Sequence, residues 1–265
     1  MKRSLAALLT MAVTLPASAQ AGKTKVTWYG HAAFVVTTPK GTVLAIDPWF
    51  SNPVAKQKGL QPPEKIDFIL VTHGHSDHAG DAVALGKATN ATFVGPAELA
   101  RVLAAAGYPM DPKTMMVTAG NMGGTLKLTD EVSVTLVPAV HSSGFQKEPQ
   151  APIEYGGNPV GFVIHVKGGP TIYHTGDTDV FGDMQLLPKR WPIDVMLACI
   201  GGHFTMDPAG AARAAGFVRP KVIVPMHFGT YPILTGTPAE LEKALRGEHV
   251  KTKVVVMQPG ETRTF

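Results

Sequence analysis

The feature that most constrains this chain is residues 72–81 (THGHSDHAGD), which place three histidines and two aspartates directly after the apolar stretch IDFILV. Histidines two positions apart cannot share a helix face, so we expect His73 and His75 to converge from a tight loop at a strand end. Asp77 and His78 would then point towards a second metal ion. A surface histidine tract is the alternative, but the interleaved Gly-Ser-Asp pattern is too ordered for a low-complexity segment. The segment predicts half of a two-metal site.

Residues 1–21 have the pattern of a secretory signal peptide. Two basic residues precede an apolar stretch, and the small residues ASA at 17–19 offer a cleavage site. Because the apolar stretch is shorter than the roughly 20 residues that span a bilayer, a membrane anchor is not expected. We predict cleavage after Ala19 or Ala21 and one metallohydrolase domain over residues 22–265. The mature protein is expected in the periplasm or outside the cell, with no membrane association.

Charge and cysteine content narrow the classes of partner. Removal of residues 1–21 takes away two of the 24 basic residues and none of the 20 acidic ones, which leaves a nearly balanced chain. There is no cluster of lysine or arginine that would follow a phosphate backbone, so a nucleic-acid partner is not expected. Cys199, the single cysteine, lies in an apolar, strand-like segment and is interpreted as core packing. The oligomeric state stays open.

Short strands and helices separated by Gly and Pro predict the scaffold. The predicted strands are 25–28, 33–37, 42–46, 66–71, 126–128, 132–137, 161–166, 171–174, 195–199, 221–224 and 253–257. The predicted helices are 81–87, 96–106, 208–216 and 238–246. Two β-rich halves, each needing cover on both sheet faces, predict an α/β fold with a four-layer α/β/β/α sandwich.

Three more apolar strands run directly into residues of the metal-ligand type. They end at His141, at Asp177 and at His227. A histidine after a strand is by itself weak evidence, because most buried polar groups are simply hydrogen-bonded. Together with the loop at 72–81, however, the ordered series predicts that these side chains meet at one edge of the sandwich.

The loop His-x-His-x-Asp-His at residues 73–78, followed in order by His141, Asp177 and His227, resembles the metallo-β-lactamase superfamily. The segments WYGHAAF, IDPW, YHTGDT and PMHF are most similar to its ascorbate-6-phosphate-lactonase-like branch of metal-dependent hydrolases. The resemblance implies the four-layer metallo-β-lactamase fold. It also implies one metal held by His73, His75 and His141, another held by Asp77, His78 and His227, and Asp177 as the bridge.

The bridging position carries a consequence for the substrate. Drug-hydrolysing members of the superfamily typically have a cysteine ligand or no bridging carboxylate, whereas this chain has Asp177, so antibiotic hydrolysis is disfavoured. Two divalent cations with Asp77, Asp177 and a hydroxide would keep a small net positive charge, which favours anionic, small-molecule substrates. Zinc is the expected metal, with manganese or iron as alternatives.

Three residues are predicted to act in catalysis. Asp77 is the expected proton carrier, provided that one carboxylate oxygen stays free. His31 and His203 are candidates for substrate contact or proton delivery, although each could instead only hydrogen-bond nearby backbone. Asp47 is interpreted as a group that orients the histidine loop, and His174 as a supporting residue. The long irregular segment 142–159, with Phe145, Ile153 and Tyr155, should flank the mouth of the pocket.

These observations predict a hydrolase that uses a hydroxide activated by two metals against an ester, a lactone or a phosphodiester. An iron-dependent oxidoreductase on the same ligands is one alternative, and metal analysis separates the two because zinc has no redox chemistry. A metal or ligand binder without catalysis is the other alternative. It is disfavoured because all seven ligand positions are present.

Overall fold

The computed structural model describes residues 23–265. The predicted signal peptide and its cleavage site lie outside the described residues. Within the described range, no helix combines the length and the apolar character needed to cross a bilayer.

The first half of the described chain contains six strands and five helices. They are β1 (Lys25–Trp28), β2 (Phe34–Thr37), β3 (Val43–Ile46), α1 (Pro53–Gln57), β4 (Phe68–Leu70), α2 (Ser76–Ala79), α3 (Ala82–Thr89), β5 (Thr92–Pro96), α4 (Ala97–Ala105), α5 (Pro112–Thr118) and β6 (Ala119–Gly120). The loop predicted at residues 73–78 therefore ends in a single helical turn, α2.

The second half continues with β7 (Thr125–Lys127), β8 (Val132–Pro138), β9 (Gly144–Phe145), β10 (Glu154–Tyr155), β11 (Val160–Val166), β12 (Thr171–His174), a 3₁₀ turn (Gly182–Leu186), α6 (Leu187–Arg190), β13 (Val195–Cys199), α7 (Pro208–Val218), β14 (Val222–Met226), α8 (Pro238–Gly247), β15 (Lys253–Val254) and β16 (Thr262–Thr264). Pro238 opens α8 behind a capping box formed by Thr237 and Glu240, which satisfies backbone donors at the helix start.

Two mixed sheets of seven strands carry the fold. Their strand orders are β16-β1-β2-β3-β4-β5-β6 and β15-β14-β13-β12-β11-β8-β7, and a separate two-stranded hairpin joins β9 to β10. The prediction of a strand over 253–257 was only partly right. The pairing ends at Val254, and the chain then crosses back so that β16 pairs with β1 in the first sheet.

The strands of the first sheet alternate between two cores, as a sheet covered on both faces requires. Leu44, Ile46 and Leu70 face the inter-sheet core, which also holds residues of the second sheet. Ala45 and Ile69 face the other way and pack with residues of α3 and α4. Residues of α7 and α8 cover the outer face of the second sheet. The predicted four-layer α/β/β/α sandwich is thereby confirmed.

Candidate metal centre

All seven predicted ligand positions come together at the ends of four strands. His73, His75, Asp77 and His78 follow β4, His141 follows β8, Asp177 follows β12 and His227 follows β14. The turn α2 begins directly after His75, so one short segment supplies four of these side chains. The folding pattern is local: each strand ends where its buried apolar run ends, and the next polar residues project beyond the core.

Three imidazoles form the first group of potential ligands. Nε2 of His73 lies 3.0 Å from Nδ1 of His75, which lies 3.2 Å from Nε2 of His141. Nitrogen atoms bound to one tetrahedral zinc ion would be about 3.3 Å apart. The three ring nitrogens are therefore spaced as ligands of a single cation, in the set that the family resemblance implied.

The second group contains one more residue than predicted. Asp77, His78 and His227 are joined by His31, and one ligand atom from each lies within 4.8 Å of the others. Nε2 of His31 is 3.0 Å from Oδ2 of Asp77, and Oδ2 is 3.9 Å from Nε2 of His227. Nδ1 of His31 meets Oγ1 of Thr230 at 2.9 Å. His31 is thus fixed between Thr230 and the Asp77 carboxylate.

Asp177 lies between the two groups. Its Oδ1 is 3.2 Å from Nε2 of His78, and its Oδ2 is 3.1 Å from Nε2 of His227 and 3.7 Å from Nε2 of His141. One carboxylate therefore faces histidines of both groups, as a bridging ligand would.

Buried atoms without hydrogen bonds show that the residues fit a metal. Nε2 of His78, Oδ1 of Asp177 and Nε2 of His227 are all buried, and none has a hydrogen-bond partner among the described residues. A buried polar atom without a partner costs free energy, so such atoms are rare in folded proteins. Three of them turned towards each other are explained by a cation between them.

Asp47 orients two of the histidines. Its Oδ2 accepts a hydrogen bond from Nδ1 of His78 at 2.7 Å and another from Oγ1 of Thr72 at 2.8 Å. Because the Thr72 hydroxyl donates to Asp47, it can accept from Nδ1 of His73, 3.0 Å away. Both Nδ1 atoms then carry the proton, which leaves the Nε2 lone pairs of His73 and His78 directed at the site.

The local electrostatics favour neutral imidazoles beside ionised carboxylates. Burial lowers the pKa of His73 well below its usual value, and burial also lowers the pKa of His75 and of His141. Burial alone would raise the pKa of Asp177, but His227 and His78 hold it well below its usual range. Neutral imidazole and carboxylate are the forms that bind metals.

His78 differs from the other histidines. Burial would lower its pKa, but the carboxylates of Asp177 and Asp47 raise it well above its usual value. The two carboxylates stabilise positive charge at the His78 ring, and a divalent cation bound to Nε2 would supply that charge.

The backbone at the site adopts unusual conformations. His31, Asp47 and His227 have φ angles of 51°, 43° and 57°, in the left-handed region that non-glycine residues rarely enter. The backbone N–H of His227 donates to the carbonyl oxygen of His31 at 2.9 Å, which ties two of these turns together. Such strained positions persist where the surrounding structure imposes them, typically at functional sites.

Comparison with known proteins agrees with this geometry. Residues 25–227 match the model of a family described as a beta-lactamase superfamily domain. The chain belongs to this superfamily. A UPF0173 metal-dependent hydrolase of Anaeromyxobacter sp. (strain K) is 60% identical over 246 residues, which cover 92% of this chain and 88% of the relative. A UPF0173 metal-dependent hydrolase of Thermodesulfovibrio yellowstonii is 46% identical, with 96% of each chain covered.

A solved structure supports the same assignment. The metallo hydrolase Igni18 from the archaeon Ignicoccus hospitalis superposes with a TM-score of 0.76 and 35% identity, covering 92% of this chain and 98% of that one. The predicted superfamily is confirmed, and the chain is a metal-dependent hydrolase within it.

In this beta-lactamase superfamily member, the metal-site residues border a cleft of about 1000 Å³. His75, Asp77, His141 and Asp177 line its floor, and residues from the predicted mouth segment 142–159 line one side. Of the three residues predicted to flank the mouth, Phe145 and Ile153 line the cleft, whereas Tyr155 does not. The Tyr155 hydroxyl pairs with Oδ1 of Asn158 at 3.1 Å.

His203, predicted to contact substrate, does not join the cluster. Gly202 and His203 both have positive φ angles, 69° and 56°, and form a turn. This turn places His203 in a neighbouring depression with Asp207 and Arg213. Its ring packs edge-on against Phe204, whose side chain does line the main cleft. His174, predicted to be a supporting residue, is buried, and its Nε2 lies 3.0 Å from the carbonyl oxygen of Ala32.

Sequence reasoning missed several residues that shape the site. Thr72 precedes the motif directly, and its position between a buried strand and His73 could have marked it. Thr230 and Phe204 have no comparable signal, because neither spacing nor periodicity relates them to His31 or to the cleft.

Proposed function

We propose that this chain is a dinuclear metal-dependent hydrolase that cleaves an ester, a lactone or a phosphodiester. The observation that carries the proposal is the position of Asp177 between the two ligand sets. Its Oδ2 lies 3.1 Å from Nε2 of His227 in one set and 3.7 Å from Nε2 of His141 in the other, and its Oδ1 lies 3.2 Å from Nε2 of His78. The group formed by His73, His75 and His141 lies alongside. Two adjacent ligand sets sharing one carboxylate are typical of two-metal hydrolytic sites.

Divalent cations, when bound, lower the pKa of a coordinated water to about 7 and polarise the bond under attack. Seven buried or half-buried side chains of the chain would supply the ligand atoms. Zinc is the proposed metal, with manganese or iron as alternatives. With only Asp77 and Asp177 as charged ligands, the loaded site keeps a net positive charge. This positive charge would favour the binding of small anionic substrates and would stabilise the negative charge that develops in the transition state.

Asp77 is proposed to carry the proton. Its side chain is 28% exposed and lines the cleft, whereas Asp177 is almost fully buried. Oδ2 of Asp77 is engaged by His31, so Oδ1 is the oxygen proposed to take a proton from the attacking water and return it to the leaving group. His31, held by Thr230, keeps the Asp77 carboxylate in one orientation.

We further propose that residues 1–21 direct export and that the mature chain acts in the periplasm or outside the cell. The charge balance of the mature chain supports a small-molecule substrate rather than nucleic acid or a membrane. Cell fractionation and N-terminal sequencing test this proposal. A mature chain that begins at Gln20 or Gly22 supports it, and an intact N-terminus in the cytoplasm contradicts it.

The first test of function is metal analysis of the purified mature protein together with turnover of lactones, carboxyl esters, phosphodiesters and a cephalosporin. About two zinc ions per chain with cleavage of one of the first three classes would support the proposal. Bound iron without hydrolysis would favour the oxidoreductase alternative. A fully loaded protein without any turnover would favour a binding role, and failure to bind metal would refute the proposal.

A further inference from the structure

The cleft above the metal centre has a polar floor and a largely apolar wall. The floor carries His75, Asp77, His141 and Asp177. Apolar side chains lining the rest include Val83, Phe145, Ile153 and Phe204. A substrate that lies over the floor would therefore contact apolar groups beside the bond to be cleaved.

The wall that carries Phe145 and Ile153 is tied to the metal-binding loop. Phe145 in β9 pairs with Glu154 in β10, and Ile153 is the residue directly before Glu154. The backbone N–H of Gly74, between the ligands His73 and His75, donates to Oγ of Ser143 at 3.1 Å. A Cβ atom on Gly74 would lie 3.1 Å from Cβ of Phe145, so a glycine permits this close approach.

The end of the same segment is anchored as well. The backbone N–H of Val160 donates to the carbonyl oxygen of Thr72 at 3.1 Å, and that of Gly156 donates to the carbonyl oxygen of Ser143 at 2.8 Å. Both ends of the hairpin segment therefore bond to the loop that supplies the first histidine ligands. The wall has a fixed position relative to the metal site.

Two large apolar side chains that line the cleft, one from this wall and one from the segment after β13, are exposed. Ile153 is 73% exposed and Phe204 is 57% exposed, although each comes from a different part of the chain. Their exposure leaves apolar area that a ligand can remove from water. Phe145 also lines the cleft but is buried, so it offers little further apolar area to a ligand.

The charged residues at the cleft rim do not favour a second charged group on the substrate. Lys147 and Glu148 are adjacent and of opposite sign, and both line the cleft. Their charges offset each other, so the positive character of the site is confined to its metal-binding floor. The arrangement suits a substrate with one polar, reactive end and one apolar end.

We infer that this site takes substrates whose ester, lactone or phosphodiester group is joined to an apolar alkyl or aryl group, and that Ile153 and Phe204 contact that group. The inference rests on the proposed hydrolase function and defines its substrate class. The polar group binds over the floor, while the apolar group covers the two exposed side chains.

The test uses the metal-loaded mature protein and a homologous series within the class that it cleaves. Suitable series are 4-nitrophenyl acyl esters, 4-alkyl γ-lactones or 4-nitrophenyl alkyl phosphodiesters with chains of roughly two to eight carbons, and kcat/KM is measured for each. We expect kcat/KM to rise with chain length by up to about fourfold per methylene, the limit for complete burial.

Variants locate the effect on the wall. Ile153→Asn and Phe204→Ser should each flatten the rise of kcat/KM with chain length, because each removes apolar area that the longer substrates would cover. Met116→Ser is the matched control, because Met116 is an 82% exposed apolar residue that does not line the cleft. It should reproduce the wild-type slope.

The outcomes separate this inference from the proposed function. Hydrolysis with no dependence on chain length, or with an unchanged slope in both wall variants, would overturn the inference and leave the hydrolase proposal intact. Absence of hydrolysis across every series from a fully loaded protein would overturn both. An equal loss of the chain-length dependence of kcat/KM in Met116→Ser would show that Ile153 and Phe204 do not specifically contact the apolar group of the substrate.

Discussion

Oδ2 of Asp47 lies 2.7 Å from Nδ1 of His78, and both side chains are completely buried. The same oxygen accepts from the Thr72 hydroxyl, which contacts Nδ1 of His73. One carboxylate outside the ligand set thus sets the ring orientation of two histidines in different parts of the centre. Buried groups of this kind tune metal sites because they fix which ring nitrogen has the lone pair.

Asp47→Asn is expected to weaken metal binding or activity by about 10- to 100-fold, because the neutral amide holds the His78 ring less firmly. Competition with a chelator measures the affinity. Asp67→Asn is the matched control, since Asp67 also accepts a backbone hydrogen bond, from Val43 at 2.8 Å, but precedes β4 and lies outside the metal-site groups. Equal effects of the two variants would contradict the orienting role of Asp47.

His73→Ala and Asp177→Ala should each abolish hydrolysis and lower the metal content while leaving a folded chain. Each removes one ligand atom from the candidate metal centre. Metal analysis, circular dichroism and turnover are measured together. His249→Asn, a change at an exposed histidine outside the groups, should match the wild type; full activity in either ligand variant would refute the assigned site.

His31→Ala should lower kcat by about 10- to 100-fold while the chain retains its metal, because the change releases Asp77 from a fixed orientation. Thr230→Val, which removes only the hydrogen bond to Nδ1 of His31, should act in the same direction with a smaller effect. Metal content and kcat are compared across the pair. Loss of one metal equivalent in His31→Ala would instead identify His31 as a ligand.

Cys199→Ser should reduce the free energy of unfolding by about 1 kcal/mol or less without reducing kcat, because the hydroxyl can keep the partners of Sγ, namely Oγ1 of Thr175 at 3.7 Å and the carbonyl oxygen of Thr178 at 3.6 Å. Cys199 is completely buried, and burial raises the pKa of its thiol to about 11, so little nucleophilic thiolate exists at neutral pH. Denaturant unfolding and turnover measure the two quantities. A large loss of turnover in a well-folded variant would refute the interpretation as core packing.

The order of the ligand residues could be read from the sequence because each one follows a short apolar strand. The histidine loop, His141, Asp177 and His227 needed only local signals: an apolar run, its end and a polar residue beyond it. The four-layer class followed from the same strands, since two sheets need cover on both faces.

The single turn of α2 within the histidine loop was not predicted. Four residues are too few for a periodic pattern, and Ser76–Ala79 becomes helical in the context of the folded loop. The return of β16 to the edge beside β1 was missed for a related reason. A three-residue strand has no sequence signal for a partner that lies more than 230 positions earlier in the chain.

By itself, the sequence determined the layered class of the fold and predicted the candidate metal ligands, because both depend on local order along the chain. Only the tertiary structure decided that His31 meets Asp77, that His203 turns into another depression, and that Ile153 and Phe204 border one cleft. These relationships depend on how distant loops pack at the edge of the sandwich. The physical reason is that side-chain periodicity specifies which face of an element is buried, not which distant segment will cover it.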